Sequence, residues 1–227
     1  CDFAPSQFPG RAKRRGLPDV SGNTMNAFDP TAEYSAIRDG VAKVCAGFPG
    51  EYWRDLDARR AYPKDFVDAL IREGYLAAMI PEDYGGSGLN LSASAVILEE
   101  IHRNGCNAAA CHAQMYIMGT VLRHGSDAQK RQYLPGIADG TLRLQAFGVT
   151  EPTSGTDTLA LKTTAKRDGD DYIVNGQKIW ISRAEHSDLM LLLARTTPRE
   201  QAKSKTDGLS VFLIDLRELK GNGVEIR

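Results

Sequence analysis

The hydrophobic period of the chain changes near residue 140, and this change constrains the fold more than any other feature. Before it, apolar residues recur at helical spacing, for example at Tyr34, Ile37, Val41 and Val44. After it, short β-prone runs follow one another with no room for crossover helices, which favours an antiparallel sheet. The pattern predicts an α+β chain with a helical domain over residues 28–140 and a β-domain over residues 141–227.

Caps and breakers in the first part predict where individual helices begin and end. One helix is expected from Pro63 to Arg72, another with Ser92 as its cap, and a third from about Asn107 to Arg123. Ser126 begins a capping-box signature for a further helix, which Gly140 ends.

The second part has the pattern of a run of short strands. We expect them over residues 142–149, 161–167, 171–174, 178–182, 188–195 and 209–216. Asp168-Gly169 and Asn175-Gly176 are typical of hairpin turns, because both dipeptides tolerate positive φ. Alternation along the fourth strand would place Trp180 and Ser182 on one face.

Charge and composition exclude several classes of function. The chain has 28 Lys and Arg against 29 Asp and Glu, and this balance predicts binding to neither nucleic acid nor an anionic membrane. No apolar run approaches the ~20 residues of a membrane span. The four cysteines are too sparse for a disulfide framework, and no signal peptide is recognisable, so we expect a cytoplasmic protein. Phosphate loops, Rossmann fingerprints and nucleophile elbows are missing from the sequence, so any dinucleotide must bind in another way.

Two further segments have alternative interpretations. Residues 1–27 are expected to form a disordered tail, although the basic run from Arg11 to Arg15 could be a targeting or nucleic-acid patch. His102, Cys106, Cys111 and His112 could form a zinc site, but their spacing fits no common zinc pattern. Packed, reduced thiols are the favoured interpretation, and no metal site is predicted.

The densest motif runs from Phe147 to Asp157 and is rich in hydroxyl groups. Thr150, Ser154 and Thr156 could donate to a polar ring edge or a phosphate, and Gly155 would let a ligand approach the backbone. A hydroxyl-rich turn between strands is the alternative. Similarly, Trp180 could flank a flat heteroaromatic ring or lie in the core of the sheet.

Several segments together resemble the acyl-CoA dehydrogenase family. Gly148 to Ala160 is similar to the family's first signature, Asn175 to Ser182 to its next segment, and Ile80 to Gly88 to its helical-domain loop. The resemblance covers about residues 30–227. It implies an N-terminal helical domain followed by an antiparallel, barrel-like middle domain. The family's C-terminal four-helix domain has no counterpart here, so we expect a truncated middle domain.

The resemblance implies FAD as the cofactor and α,β-dehydrogenation of an acyl-CoA thioester as the reaction. The residues expected to bind FAD are Phe147, Val149, Thr150, Gly155, Thr156, Trp180 and Ser182. Thr156 matches a position that is also near the substrate. The family's catalytic base is a glutamate of the C-terminal domain, so no catalytic residue is expected in this chain. Glu151 lies in the signature but matches no family base, and we interpret it as structural.

The resemblance also implies partners and leaves two alternatives open. It implies an electron-transfer flavoprotein as acceptor and a homo-oligomer, a tetramer, for the full-length protein. In relatives the helix that carries His112, Gln114, Met115 and Met118 lines the acyl pocket, although packing in the core would explain the methionines equally well. The alternatives are an acyl-CoA oxidase or nitroalkane oxidase-like flavoenzyme, and a non-enzymatic binding protein on the same scaffold. Neutral charge argues against DNA as that protein's ligand.

Overall fold

A computed structural model describes residues 34–204 and 206–227, so the tail predicted over residues 1–27 lies outside the described residues. The helices of the described chain are α1 Ser35–Cys45, α2 Gly50–Arg59, α3 Lys64–Arg72, α4 Leu91–Arg103, α5 Ala109–His124 and α6 Asp127–Asp139. The strands are β1 Leu144–Gly148, β2 Thr164–Asp168, β3 Asp171–Asn175, β4 Leu189–Arg195 and β5 Leu209–Asp215. In this part of the chain no helix is both long enough and apolar enough to span a bilayer.

Local sequence signals explain several helix boundaries. The Ser126 side chain accepts from the backbone N–H of Gln129 at 3.2 Å, and the Gln129 side chain accepts from the backbone N–H of Ser126 at 2.8 Å. The predicted capping box is therefore confirmed. Gly140 ends α6 in the left-handed conformation, with φ of 81°. The prediction for Ser92 is wrong, because Asn90 caps α4 through a 2.8 Å hydrogen bond to the third residue of the helix.

The sequence pattern does not predict α2, because this helix has almost no apolar period. Leu56 is its one buried residue. Tyr52 and Trp53 are half-buried and make edge-to-face contacts with Phe48 and Phe66 at centroid distances of about 5 Å. Aromatic packing rather than a hydrophobic stripe therefore holds α2 on the helical core.

Three buried clusters organise the core of the described chain, and two of them include helical residues. The first lies among the helices and contains Phe66, Leu70 and Ile97. The second contains Ile117 and Met118 of α5 together with side chains of α6, β1 and β4. The helical part and the sheet therefore share a core, so the helices position the sheet directly. The thiols of Cys45, Cys106 and Cys111 are buried, and burial raises the pKa of Cys111 to about 12.

The sheet is mixed. β5 and the β2–β3 hairpin have antiparallel neighbours, but β1 and β4 are parallel, with Phe147 opposite Leu191. β2 meets the end of β4 at Thr164 and Arg195. The predicted order, a helical region and then a sheet, is confirmed. The expectation of a purely antiparallel sheet is wrong, and barrel-like describes this open sheet only loosely. The long connection from β1 to β4, which contains the β2–β3 hairpin, makes their parallel pairing feasible without a crossover helix.

One predicted hairpin turn forms and the other does not. Asp168 pairs with Asp171 and Gly169 has φ of 61°, which confirms the first turn. Residues 176–181 form no strand, so the strand predicted over 178–182 is wrong. Trp180 adopts the left-handed conformation with φ of 60°, which breaks the alternation that would have aligned it with Ser182.

Candidate functional site

The structure brings the two polar motifs of the sequence together. The backbone N–H of Ile179 donates to the carbonyl of Thr150 at 2.9 Å. The Lys178 ammonium donates to the carbonyl of Val149 at 3.0 Å. The segment that leads to Trp180 therefore lies beside the end of β1, although the two are far apart in sequence.

A buried ion pair fixes this arrangement. The side chains of Glu151 and Lys178 are 4% and 9% exposed, and their charged atoms lie 2.9 Å apart. The Glu151 carboxylate also accepts from the backbone N–H groups of Lys162 at 2.6 Å and Thr163 at 2.9 Å. Burial acts to raise the pKa of Glu151, but hydrogen bonds from Thr163, Lys162 and Lys178 outweigh it and lower the pKa to about 2. So acidic a carboxylate is a weak general base near neutral pH, which supports the structural interpretation of Glu151.

The hydroxyl-rich loop after Glu151 is a tight turn with an open outer side. Glu151 and Ser154 exchange backbone hydrogen bonds of 2.9 and 3.1 Å, and the Ser154 hydroxyl donates to the carbonyl of Asp157 at 2.5 Å. The Ser154 hydroxyl is thus hydrogen-bonded within the loop, whereas Gly155 and Thr156 are exposed. A Cβ on Gly155 would meet no atom within 4 Å, and its φ is not left-handed. Neither crowding nor backbone conformation requires a glycine there, so the loop offers open backbone.

Trp180 presents its indole to the outside. Its side chain is 87% exposed, the highest value among the large apolar residues of the described chain. The backbone N–H groups of Thr150, Trp180 and Ser182 donate to no acceptor among the described residues. An exposed aromatic plane beside free donors can bind a flat ring with polar edges.

The loop after Ser182 is attached to the helical part. Arg183 is left-handed with φ of 62° and precedes a short 3₁₀ turn at Ala184–His186. The His186 ring stacks on Tyr62, with centroids 4.4 Å apart and an interplanar angle of 24°. The Tyr62 hydroxyl donates to Gln145 of β1 at 2.8 Å. The helical part therefore helps to fix the loop that carries the exposed indole.

The predicted FAD-binding residues occupy three kinds of environment. Val149, Thr150 and Trp180 are joined by the contacts around Lys178 and Ile179 described above, and Gly155 and Thr156 lie on the adjoining loop. Phe147 is half-buried and packs against the second core cluster. Ser182 is exposed and lies two residues after Trp180.

Sequence reasoning missed two charged residues that shape this region. The sequence pattern places Lys178 in a strand and gives no role to Arg195, which ends the apolar strand β4. Both stand next to apolar β-prone residues, in Lys178-Ile179-Trp180 and in Leu191 to Arg195. A charge at such a position indicates a buried group that needs a partner, and this signal could have identified both residues.

A second candidate site is a groove of about 690 Å³ between α4 and α5. Among its lining residues are Met79, Leu91, Leu98, His112, Met115 and Tyr116. Of the four residues considered for an acyl pocket, His112 and Met115 line the groove. Gln114 and Met118 are fully buried instead. The groove is apolar enough to accept a hydrocarbon chain.

Comparison with known proteins identifies the family of both parts of the chain. Residues 31–141 match the family model for the acyl-CoA dehydrogenase N-terminal domain, and residues 146–227 match that for the middle domain. The chain is 34% identical over 192 residues to acyl-CoA dehydrogenase FadE12 of Mycobacterium tuberculosis, covering 84% of this chain and 48% of that protein. It is 36% identical over 191 residues to glutaryl-CoA dehydrogenase of Desulfococcus multivorans, covering 82% and 46%.

Solved structures give the same result. An acyl-CoA dehydrogenase from Geobacillus kaustophilus superposes with a TM-score of 0.73 at 29% identity, covering 82% of this chain and 48% of that one. A glutaryl-CoA dehydrogenase in complex with glutaryl-CoA gives the same score and identity, with 84% and 48% covered. The chain spans about half the length of the curated relatives it matches.

Proposed function

The chain belongs to the acyl-CoA dehydrogenase family, and from this premise we propose that the protein binds FAD and dehydrogenates an acyl-CoA thioester. The observation that carries the proposal is the junction of two motifs. The Glu151–Lys178 ion pair and the hydrogen bond from Ile179 to Thr150 hold the hydroxyl-rich loop beside an exposed indole. Neither motif alone would form a binding surface.

The residues of this surface fit FAD in chemical type. The Trp180 indole offers a plane for a flavin ring, and the free N–H groups of Thr150 and Ser182 offer donors to its polar edge. Gly155 leaves the loop backbone open, with the Thr156 hydroxyl beside it. Each of these groups is therefore free to contact a bound dinucleotide.

In the proposed reaction the residues of this chain would bind and orient FAD and the thioester substrate. The chemistry that FAD supplies when bound is acceptance of a hydride from the β-carbon of the substrate. Thr150, Thr156 and Ser182 would orient ring and thioester through their hydroxyl and N–H groups. Trp180 would exclude water from one side of the ring. Removal of the α-proton is assigned to no residue of this chain, because Glu151, with a pKa of about 2, is a weak base and matches no base of the family.

The apolar groove between α4 and α5 is the proposed site of the acyl chain. Met115 and Leu98 give it an apolar wall, and His112 and Tyr116 add polar atoms. We further propose an electron-transfer flavoprotein as the electron acceptor, a homotetramer for the full-length protein, and a cytoplasmic location. The acceptor and the tetramer follow from the family, and the location follows from the sparse cysteines and the lack of a recognisable signal peptide.

An absorption spectrum of the purified full-length gene product tests the proposal. We expect a bound flavin that bleaches when an acyl-CoA is added under anaerobic conditions. A bound flavin that no thioester bleaches would favour the oxidase or nitroalkane oxidase alternative. A protein that neither contains nor takes up flavin would contradict the proposal, and a non-enzymatic binding protein would then be the better account.

A further inference from the structure

Tyr62, between α2 and α3, contacts both chain segments on which the candidate flavin surface depends. Its hydroxyl donates to the side chain of Gln145 in β1 at 2.8 Å. Its ring stacks on His186, with centroids 4.4 Å apart. β1 leads to Thr150, and His186 follows Trp180 by six residues. Tyr62 therefore joins the two motifs from outside either of them.

Gln145 needs outside partners because it lies at an irregular point of its strand. The register between β1 and β4 shifts between Leu144 and Ala146. Gln145 is 1% exposed, and its backbone N–H donates to the Ser187 hydroxyl at 3.2 Å. Its side-chain carbonyl accepts from Tyr62. Since buried polar groups require hydrogen-bond partners, these two contacts fix β1 where its register shifts, shortly before the site.

The segment that carries Trp180 is attached at both ends and exposed in the middle. Lys178 holds its first end to the end of β1. At its second end His186 stacks on Tyr62, and Lys220 donates to two backbone carbonyls of the same turn, each at 2.8 Å. The Trp180 side chain is 87% exposed, so packing of its own does little to hold it. Its position therefore depends on the two attachments, and Tyr62 supplies the aromatic contact of the second.

We propose that Tyr62 is a positioning residue for the flavin ring, because it fixes the segment of Trp180 through His186. The inference rests on the proposed function. The bond to Gln145 orients the Tyr62 ring, and the ring in turn holds His186 in place. A binding surface that is held in position loses less conformational freedom when its ligand binds, so this support increases the affinity for flavin.

The test combines two measurements on the flavin-free full-length protein. The first is FAD affinity, from quenching of flavin fluorescence, and Tyr62→Leu should weaken it about 10-fold because both contacts are lost. The second is hydrogen exchange over residues 183–188, read by mass spectrometry. The backbone N–H groups of Ala184 and His186 donate within this turn, at 3.4 and 3.0 Å, and should exchange about 10-fold faster in Tyr62→Leu. Tyr62→Phe keeps the stacked ring, so FAD affinity should fall less than about threefold.

Tyr52→Leu is the matched control. Tyr52 is another half-buried tyrosine of the helical part, its hydroxyl accepts from the backbone N–H of Phe66 at 3.3 Å, and its ring packs on Phe48. The substitution should therefore lower the stability of the helical part. Because Tyr52 belongs to the aromatic cluster around α2, FAD affinity and exchange over residues 183–188 should stay as in the wild type.

Each outcome decides a separate claim. Unchanged FAD affinity or unchanged exchange in Tyr62→Leu would overturn the proposal, and so would equal effects of Tyr52→Leu, which would indicate a general loss of stability. If Tyr62→Leu does not fold, His186→Ala decides, because the exposed His186 can be removed without opening the core. It should weaken FAD binding and speed exchange, and no effect would contradict the proposal. A wild-type protein that binds no FAD would refute the proposed function, and the exchange measurement would still decide whether Tyr62 holds the segment.

Discussion

Replacing Lys178 by methionine would break the ion pair that joins the two motifs while it keeps most of the side-chain volume. Glu151 would retain the N–H groups of Lys162 and Thr163, but its buried carboxylate would lose its counter-charge. The carbonyl of Val149 would lose its donor as well. Removing one partner of a buried pair typically costs 3–5 kcal/mol, since an uncompensated charge remains.

The pKa of Glu151 gives a second measure of the effect. A pKa of about 2 against the ordinary 4.5 corresponds to about 3 kcal/mol in favour of the ionised form in the folded state. That value includes all contacts of the carboxylate, of which Lys178 is one, so we expect Lys178→Met to lower the free energy of unfolding by about 3 kcal/mol, the low end of the range. Because the folded-state pKa is depressed, this stabilisation is present above pH 4.5 and is lost as the pH falls toward 2.

Urea unfolding followed by circular dichroism at pH 7 and at pH 4 measures both effects. The difference between wild type and Lys178→Met should be full at pH 7 and smaller at pH 4. At pH 4 the unpaired Glu151 carboxyl of the variant can take up a proton and relieve its penalty, whereas the wild-type carboxylate, with a pKa of about 2, stays ionised. The control is Arg54→Met, which removes one member of an exposed pair with Glu51 and should cause no measurable change. If Lys178→Met destabilises the protein no more than this control, the ion pair does not hold the two motifs together.

Four further predictions concern two glycines, a helix cap and acid stability. Gly176→Ala should destabilise the protein by about 1–3 kcal/mol in thermal unfolding, because its Cβ would lie 2.2 Å from a buried hydroxyl. Gly155→Ala, with no atom near its Cβ, should leave the unfolding temperature unchanged and weaken FAD binding; unaltered FAD affinity would argue against an FAD contact there. Ser126→Ala should cost about 1 kcal/mol of unfolding free energy, and Ser92→Ala far less, since only the former is a cap. Glu151→Gln should flatten the acid branch of the stability curve between pH 5 and pH 2, and an unchanged branch would show that another carboxylate dominates it.

The sequence predicted those features that depend on local signals. The change from helical to strand period, the capping box at Ser126 and the turn at Gly169 each require a few adjacent residues, and all are present. The cap of α4 shows where local sequence signals are no longer sufficient. Both Asn90 and Ser92 can cap a helix, and only the three-dimensional position of the first turn decides between them.

Features that depend on distant residues could not be predicted in this way. The pattern around Trp180 alternates like a strand, yet Gly176 approaches Thr163 closely and the backbone then turns left-handed. The site residues were proposed from resemblance to a family. The pairing of Glu151 with Lys178, 27 residues later in the sequence, became visible only in the structure. A buried charge can be suspected from sequence, but its partner cannot be identified there.

The two tryptophans of the chain allow the most direct test of the flavin surface. Trp180 is exposed at the proposed site, whereas Trp53 lies in the aromatic cluster of the helical part. FAD should be added to the flavin-free protein while tryptophan emission is recorded for Trp53→Phe and Trp180→Phe. We predict near-complete quenching in Trp53→Phe, which retains the indole at the site, and clearly weaker quenching in Trp180→Phe. Equal quenching in both variants, or stronger quenching in Trp180→Phe, would contradict the placement of FAD beside Trp180.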